Sequence, residues 1–403
     1  MSSPSPTTPD TGPGPGWSQV PTTAAASVRR GGPVRRTARS QVTRVLLILL
    51  LVVVLAACGL LTLLIISSQT GVTGLVTGFV VALVPVLIVV PALLWLDRFE
   101  AEPTSLLLFA FAWGALVATF VALLVNSYSL VLLQDAGGDI SSTAVLVAPW
   151  VEETAKGSAV LLVLLVRRRE FDGVVDGIVY AGLAGVGFAF TENVLYLGRA
   201  LEEGGTGGLV VTFVLRGLFG PFAHPMFTMA IGIGLGVAAV TRRRWLRVVA
   251  PLLGWLSAVG LHALWNLSAV AGLRGFITLY VLVQVPIFLA AVAFALWARR
   301  RESRLIGRHL SVYAASGWFT PAEVQMLTSM SGRRAARGWA GSVAGGGGRH
   351  AMAAFQAAAT ELAFARDRMS RGTAAPDARD VERALLHEVA CDRYGFVPAR
   401  ARR

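Results

Sequence analysis

The sequence is short of cysteine and of lysine, and it lacks charge over long stretches. Its 403 residues include two cysteines, Cys58 and Cys391, too few for the disulfide framework of a small secreted protein. Lysine occurs once, at Lys156, against 35 arginines. A hydrophobic share of 55%, together with 43 glycines, exceeds the apolar content of soluble domains and excludes a soluble enzyme of this size. Charged side chains are absent from four long segments: 45–96, 103–134, 248–273 and 275–298.

These apolar segments predict helices that cross a lipid bilayer. About 20 residues span the hydrocarbon core as a helix, whereas open strands cannot cross it, because their backbone groups would lack hydrogen-bond partners. The predicted fold is therefore all-α and polytopic, with about eight transmembrane helices. Gly220 and Pro221 predict that the long sixth segment is broken near Gly220 or re-entrant. The expected spans are 45–66, 72–96, 104–132, 144–166, 174–198, 209–241, 246–271 and 276–298.

The net charge of +13 has a distribution typical of membrane topology. The 36 basic residues, against 23 acidic ones, cluster at the ends of the apolar segments, so no nucleic-acid partner is expected. Arginine clusters at 167–169, 242–247 and 299–301 fall on one side of the predicted membrane, whereas the other side has Arg199 and Arg274. The positive-inside rule then places both termini in the cytoplasm, in a multi-pass protein of the cell (plasma) membrane.

Three domains are predicted from the composition. Residues 1–43 are rich in Pro, Ser and Thr and then in Arg, which predicts a disordered basic leader before an uncleaved first helix. The transmembrane domain is expected over residues 44–300. Residues 301–403 turn polar and predict a small cytosolic helical domain, in which Thr320 and Glu323 have the spacing of a capping box.

Ionisable side chains are rare in the predicted spans, and they indicate a functional site because they are costly at bilayer depth. At a helix rise of about 1.5 Å per residue, they lie roughly 10 to 14 Å below the external surface on four spans. Such convergence favours one polar site over independent packing contacts. The candidate catalytic residues are Glu152, Glu153, Glu192, His224 and His262, with Lys156, Asn193 and Asn266 in support.

The spacing within the fourth span separates a structural role from a catalytic one. Lys156 lies four residues after Glu152 and three after Glu153, within reach of both on a helix. One buried ion pair would leave the second glutamate without a partner, and this excess carboxylate favours catalysis. The single lysine indicates a compact ammonium that the broad guanidinium of arginine would not replace. Arg216, in the sixth segment, is interpreted as an interfacial anchor.

Carboxyl groups and imidazoles in one place suit hydrolysis. One glutamate can hold a proton while another activates water, and a histidine or an asparagine can stabilise the oxyanion. This reaction needs no metal. In the alternative, Glu192, His224 and His262 hold zinc and another glutamate is the base, although the sequence has no HExxH motif. The residues thus require no cofactor, and zinc is the one that they could hold.

Other interpretations of these residues stay open. Glu192 with Asn193 and His262 with Asn266 could be interhelical packing pairs, and His224 could cap a helix break. A proton- or ion-coupled transporter also lines a cavity with Glu, Lys and His side chains, and a non-catalytic membrane scaffold is a third class. A transporter needs access from both faces, whereas the polar groups here are all expected toward the external side.

The motifs at 95–103, 152–156 and 188–193 are followed by His224 and His262 in fixed order. In this order they resemble the PrsW-type intramembrane proteases, distant relatives of the CAAX-processing and bacteriocin-immunity proteases. The resemblance implies an all-α membrane fold and endopeptidase activity on membrane-anchored proteins. One member of the family acts on an anti-sigma factor, which is that member's role and makes an anti-sigma-factor-like regulator one candidate substrate here. The depth of the polar residues predicts that a single-span substrate is cut near the external face of the bilayer. The resemblance also implies a metalloprotease or glutamic protease whose catalytic set is Glu152, Glu153, Glu192, His224 and His262.

Overall fold

The computed structural model describes residues 38–135, 137 and 143–397, and these residues form helices without any strand, as predicted. Most of the predicted leader and most of the loop 134–143 lie outside the described residues. The α-helices, numbered in chain order, are α1 Ala38–Leu96, α2 Thr104–Ala112, α3 Thr119–Asp135, α4 Ala148–Val166, α5 Val174–Phe213, α6 Ala223–Val240, α7 Leu246–Val270, α8 Gly272–Leu279, α9 Val285–Ala315, α10 Pro321–Leu327, α11 Met330–Arg371 and α12 Ala378–Phe396.

The described chain also contains π-helical turns, which join or precede the α-helices. A π turn holds an extra residue relative to an α-helical turn, and such turns are frequent at functional sites because they displace side chains from the regular helix face. They are Trp113–Ala118, Thr143–Val147, Val214–Phe219 and Tyr280–Gln284.

Within the described residues, five continuous helical stretches are long and apolar enough to cross a membrane, so the chain is a multi-pass membrane protein: Val45–Leu96, Thr104–Asp135, Val174–Val240, Leu246–Val270 and Gly272–Ala315. The first is kinked at Gly71, whose φ of 59° is a conformation that glycine adopts freely. This kink lies between the first two predicted spans. The third includes a turn at 220–222, where the sequence predicts a break. The count of eight spans stays a prediction.

Helix α5 lies at the centre of the transmembrane unit and is largely buried. Small residues let its neighbours approach closely, as is usual between membrane helices. A Cβ atom at Gly177 would lie 2.0 Å from the carbonyl oxygen of Gly232 on α6. A Cβ atom at Gly185 would lie 2.7 Å from the carbonyl oxygen of His224. Glycine at these two positions therefore determines how closely α5 approaches α6 and the backbone of His224.

The internal contacts divide the chain between Arg300 and Arg301. In the later unit, Arg393 of α12 is buried and its Nε lies 2.9 Å from Glu323 Oε1. Glu323 also accepts a hydrogen bond from the backbone N–H of Thr320 at 2.7 Å, and it donates its own N–H to the Thr320 hydroxyl at 3.1 Å. The capping box expected at the start of α10 is thus confirmed. The cytosolic location of this unit stays a prediction.

Candidate active site

Four helices bring the predicted ionisable residues together. Helix α4 carries two glutamates and the lysine, and α5 carries Glu192. His224 lies in the first turn of α6, and α7 carries His262. The rings of the two histidines lie 5.0 Å apart between their centroids. Residues distant in the sequence thus form one buried network. Its most buried members are Glu152, Glu153, Lys156, His224 and His262, each with at most 5% of its surface exposed.

The carboxylate of Glu153 is fully engaged. Its Oε1 lies 2.6 Å from Lys156 Nζ and 2.9 Å from His262 Nδ1. Its Oε2 accepts a hydrogen bond from the hydroxyl of Thr228 at 2.9 Å. Because the carboxylate can only accept, Nδ1 of His262 carries a proton and donates it. Glu153 therefore orients His262 and compensates the charge of Lys156.

Of the two carboxylate oxygens of Glu152, one makes a hydrogen bond and the other makes none within the described residues. Its Oε1 accepts a hydrogen bond from Asn126 Nδ2 of α3 at 3.1 Å. Its Oε2 is buried and has no hydrogen-bond partner within the described part of the chain. This oxygen lies 3.7 Å from His262 Nε2 and 3.8 Å from Lys156 Nζ, beyond hydrogen-bond range of both. Glu152 Oε2 is therefore the carboxylate oxygen of this pair that can take a water or a metal ion.

His224 bridges the two halves of the network. Its Nδ1 lies 3.2 Å from Lys156 Nζ, and its Nε2 lies 2.9 Å from Glu192 Oε2. An ammonium group has no lone pair, so Nδ1 accepts a hydrogen bond from Lys156. The ring proton is then on Nε2, which donates a hydrogen bond to Glu192. The ring of Phe188 lies 4.2 Å from Lys156 Nζ and covers the ammonium with a cation–π contact.

Arg216 is a functional candidate that the sequence analysis missed. Its guanidinium donates to Glu192 Oε2 and, through Nε, to Asn193 Oδ1 at 2.8 Å. It also lies 4.1 Å from the centre of the Tyr196 ring. The interpretation of Arg216 as an interfacial anchor is therefore wrong, because the side chain turns inward to pair with a carboxylate. The signal was present, since Arg216 is the one charge in the first part of the sixth segment.

The remaining polar residues differ in how they relate to the network. Asn193 reaches it through Arg216, whereas Asn266 donates to the backbone carbonyl of Ala144 at 2.8 Å and tethers the segment before α4 to α7. Asn126 and Thr228 contact the two α4 glutamates, and the sequence analysis assigned neither a role. Single neutral polar residues are common in membrane helices, so no sequence signal separated these two from ordinary packing residues.

The donor groups fit a zinc ion in kind and in closeness. Among the described His, Cys, Asp and Glu residues, potential ligand atoms of Glu152, His224 and His262 lie within 4.8 Å of one another. Two imidazoles and one carboxylate are the ligand set of many catalytic zinc sites. The sequence analysis proposed Glu192 as the carboxylate ligand, whereas the structure groups Glu152 with the two histidines. Binding at His224 would require the ring to give up a present contact, because Lys156 and Glu192 engage both of its nitrogens.

Asp97 and Glu102, which lie between the first two membrane-spanning stretches, form a second polar cluster with Tyr180 of α5. Asp97 Oδ2 accepts a hydrogen bond from the backbone N–H of Glu102 at 2.9 Å, and Glu102 Oε2 accepts one from the Tyr180 hydroxyl at 2.5 Å. Burial, together with the nearby Asp176 carboxylate, raises the pKa of Glu102 to about 10. Burial also raises the pKa of Asp97 to about 8. Both groups therefore hold a proton at neutral pH, and the cluster fastens the 95–103 segment to α5.

We expect the thermal stability of the protein to fall as the pH rises from neutrality to about 10. A carboxyl group whose pKa is raised in the folded chain stabilises the fold below its ordinary value of 4.5, and this contribution is lost as the pH approaches about 10. Glu102→Gln keeps the acceptor for Tyr180 and removes the titration. Its Tm at pH 7 should equal or exceed that of wild type, because the glutamine needs no proton from solution on folding, and the fall above pH 7 should be smaller. Equal pH dependence of both proteins would contradict this account.

Comparison with known proteins gives one consistent family. Residues 102–291 match the family described as PrsW family intramembrane metalloprotease. The Protease PrsW of Geobacillus kaustophilus is 34% identical over 154 residues, which cover 37% of this chain and 62% of that protein. The Protease PrsW of Clostridioides difficile is 29% identical over 162 residues, 38% of this chain and 63% of that protein. The Protease PrsW of Bacillus subtilis is 28% identical over 155 residues, which cover 37% of this chain and 65% of that protein.

The chain thus spans between three-fifths and two-thirds of the length of these curated relatives. No solved structure matches it with significant similarity. The matched residues contain every member of the buried network, from Asn126 to His262, and also Glu102 of the second cluster. The resemblance that the sequence motifs indicated is therefore confirmed: residues 102–291 of this chain are similar to the PrsW family of intramembrane proteases.

Proposed function

We propose that this protein is an intramembrane endopeptidase that hydrolyses a peptide bond of a membrane-anchored protein near the external face of the membrane. The observation that carries the proposal is the buried Glu152 Oε2, which has no hydrogen-bond partner among the described residues and lies 3.7 Å from His262 Nε2. A buried acceptor is costly unless something occupies it, and water is the natural occupant in a hydrolase. The similarity to the PrsW family supports the same reaction class.

In the proposed mechanism, Glu152 is the general base. It takes a proton from a water held beside His262 as the water oxygen attacks the carbonyl carbon of the substrate. The same proton then passes to the leaving nitrogen as the carbon–nitrogen bond breaks. The Nε2–H of His224, which donates to Glu192 in the described structure, would turn to the oxyanion as its negative charge develops. Glu153 keeps His262 oriented throughout.

The reaction can be tested by cleavage of tagged single-span membrane proteins, including anti-sigma-factor-like regulators, co-reconstituted with the full chain in lipid vesicles. Wild type should release a truncated product, and His262→Ala should lower the rate by about 100-fold or more, since it removes the imidazole beside the attacking water. The exposed Glu203→Gln, as a control, should cleave like wild type. Folded wild type that releases no product from any candidate, or product formation that is equal in His262→Ala, would contradict the proposal.

A strong chelator should leave this activity unchanged. A zinc ion at Glu152, His224 and His262 would polarise the substrate carbonyl and lower the pKa of bound water. In the described structure, however, Lys156 occupies the lone pair of His224 Nδ1, and the ring proton sits on Nε2. The residues thus favour a glutamic mechanism. Inactivation by a chelator, reversed by added zinc, would instead assign the metalloprotease type and imply that Lys156 releases His224.

We further propose that the protein lies in the plasma membrane with both termini in the cytoplasm, as the arginine distribution indicates. In a background with Cys58 and Cys391 replaced by serine, Thr206→Cys should react with an impermeant maleimide added outside intact cells. Arg167→Cys should react only after the cells are opened. Both native side chains are exposed, so access to the residue itself does not limit the reaction. The reverse pattern would invert the orientation and place the active site toward the cytoplasm.

A further inference from the structure

An apolar cavity of about 250 Å³ lies beside the candidate active site. Its walls come from α6, α7, the start of α9 and the π turns Val214–Phe219 and Tyr280–Gln284. The residues that matter here are Phe222, Met226, Leu261, Leu264 and Phe288, all apolar. The volume is large enough for an aromatic or branched side chain, because the interior of a protein fills such a space with one or two side chains.

One buried polar side chain lines this cavity. Gln284, the last residue of its π turn, is 7% exposed. Its Nε2 donates to Ser268 Oγ at 2.9 Å, and the Ser268 hydroxyl donates to the carbonyl oxygen of Trp265 at 2.7 Å. Ser268 has a single hydroxyl proton, which it donates in the hydrogen bond to the carbonyl oxygen of Trp265. The serine oxygen can therefore only accept a hydrogen bond from Gln284. These two hydrogen bonds determine the orientation of the Gln284 amide. Its oxygen, Oε1, is on the side of the amide away from Ser268.

That oxygen, Gln284 Oε1, is buried and has no hydrogen-bond partner in the residues that the structure describes. Buried acceptors are nearly always satisfied in proteins, and one left open within a cavity indicates a ligand with a donor. A lipid acyl chain would fill the apolar walls but has no donor for this oxygen. A peptide segment offers both an apolar side chain and a backbone N–H.

The cavity shares wall residues with a second, small cavity at the candidate active site. Ala223 and Trp265 line both, and the small cavity reaches His224 and Arg216. Phe227, another wall residue, stacks on His262 with 5.2 Å between the ring centroids. A group held in the cavity would therefore be separated from His262 by the ring of Phe227.

We propose that this cavity is the subsite for one large apolar side chain of the substrate, next to the bond that is cut, and that Gln284 Oε1 accepts the backbone N–H of the same substrate segment. The inference rests on the proposed endopeptidase function. A substrate helix must unwind before its peptide bond can be attacked, and unwinding in the membrane frees N–H groups that need new acceptors. Gln284 supplies such an acceptor, and the apolar walls hold the adjoining side chain.

The first test is a substrate series in which each position near the cut is Ala, Leu or Phe. At one position, wild type should cleave the Phe and Leu substrates about 10-fold faster than the Ala substrate, measured as kcat/KM. Leu264→Trp fills the cavity and should remove this preference. Leu282→Trp, on the same π turn as Gln284 but 69% exposed, is the matched control and should keep it. A preference that Leu264→Trp leaves intact would overturn the proposal.

The second test does not depend on proteolysis. Its probes are N-methylphenylacetamide, which has one N–H, and N,N-dimethylphenylacetamide, which has none. Binding to the full chain in lipid nanodiscs is measured by ligand-observed NMR. Wild type should bind the first about 3- to 10-fold more tightly, as one hydrogen bond predicts. Gln284→Met should bind both equally, and the Leu282→Trp control should behave like wild type.

Equal binding of the two probes by wild type, or binding of neither, would overturn the role of Gln284. If wild type shows the expected preference between the probes but cleaves no substrate, the endopeptidase function would be refuted. The proposal that the cavity binds an amide N–H would still hold. Should Gln284→Met fail to fold by its melting curve, Leu264→Trp still decides the matter, because it should lower the affinity for both probes without touching the polar group.

Discussion

Replacing Glu152 by glutamine is expected to reduce the cleavage rate by roughly 10²- to 10⁴-fold, the usual contribution of a general base. Glutamine keeps the size of the side chain and can still accept the hydrogen bond from Asn126, so the melting temperature should change little. In the described structure Glu152 Oε2 has no hydrogen-bond partner to lose, and Lys156, which lies 3.8 Å from it, keeps its closer ion pair with Glu153 at 2.6 Å. The measurement is initial cleavage rate in lipid vesicles together with a melting curve for the same preparation.

Glu153→Gln is the informative comparison. Both activity and stability should fall, because neutralising Glu153 leaves the ammonium of Lys156, 2.6 Å away, and the Nδ1 proton of His262 without their carboxylate. Removing one partner of a buried ion pair costs about 3 to 5 kcal/mol. A Glu152→Gln protein that cleaves at the wild-type rate, or a Glu153→Gln protein with unchanged melting and activity, would refute this division of roles.

Lys156→Met is expected to destabilise the protein about as much as Glu153→Gln, because both break the same buried ion pair. It leaves the fully buried carboxylate of Glu153 without its cation, again at a cost of about 3 to 5 kcal/mol. Arg243→Met, at an exposed position, removes a cation by the same change and should shift the melting temperature little. Melting of the purified proteins in one detergent measures both.

Lys156→Arg keeps the charge and should still impair the protein. Lys156 is 0% exposed, with the Phe188 ring 4.2 Å from its Nζ, so the larger guanidinium overfills the space at a cost of about 1 to 3 kcal/mol. Its planar fork would also displace the contact with His224 Nδ1. Wild-type activity and melting in this variant would leave the chain's single lysine without a functional account.

Local sequence patterns predicted much of the helical structure and part of the site. The spacing of Glu152, Glu153 and Lys156 within one helix placed the ammonium near both carboxylates, and the structure puts it 3.8 Å and 2.6 Å from them. Gly220 and Pro221 predicted the turn before α6. These predictions succeed because neighbours on a helix are related by a constant rise and rotation, whatever the rest of the chain does.

Contacts between helices were harder to predict from the sequence. Arg216 was interpreted as an interfacial anchor, whereas it pairs with Glu192, which lies 24 residues earlier on α5. Asn266 follows His262 by one helical turn, yet it donates to the carbonyl of Ala144. No pattern within one helix tells which neighbouring helix a side chain will face.

The amino-acid sequence by itself determined the all-helical membrane class, the place of the main breaks and the set of costly polar residues, since lipid penalises every unsatisfied polar group regardless of tertiary detail. Only the tertiary structure decided which carboxylate oxygen is left open, which imidazole nitrogen carries a proton and that Gln284 faces a cavity. These properties depend on distances of a few ångströms between residues on different helices, and those distances are set by how the helices pack, for example through Gly177 and Gly185 against α6.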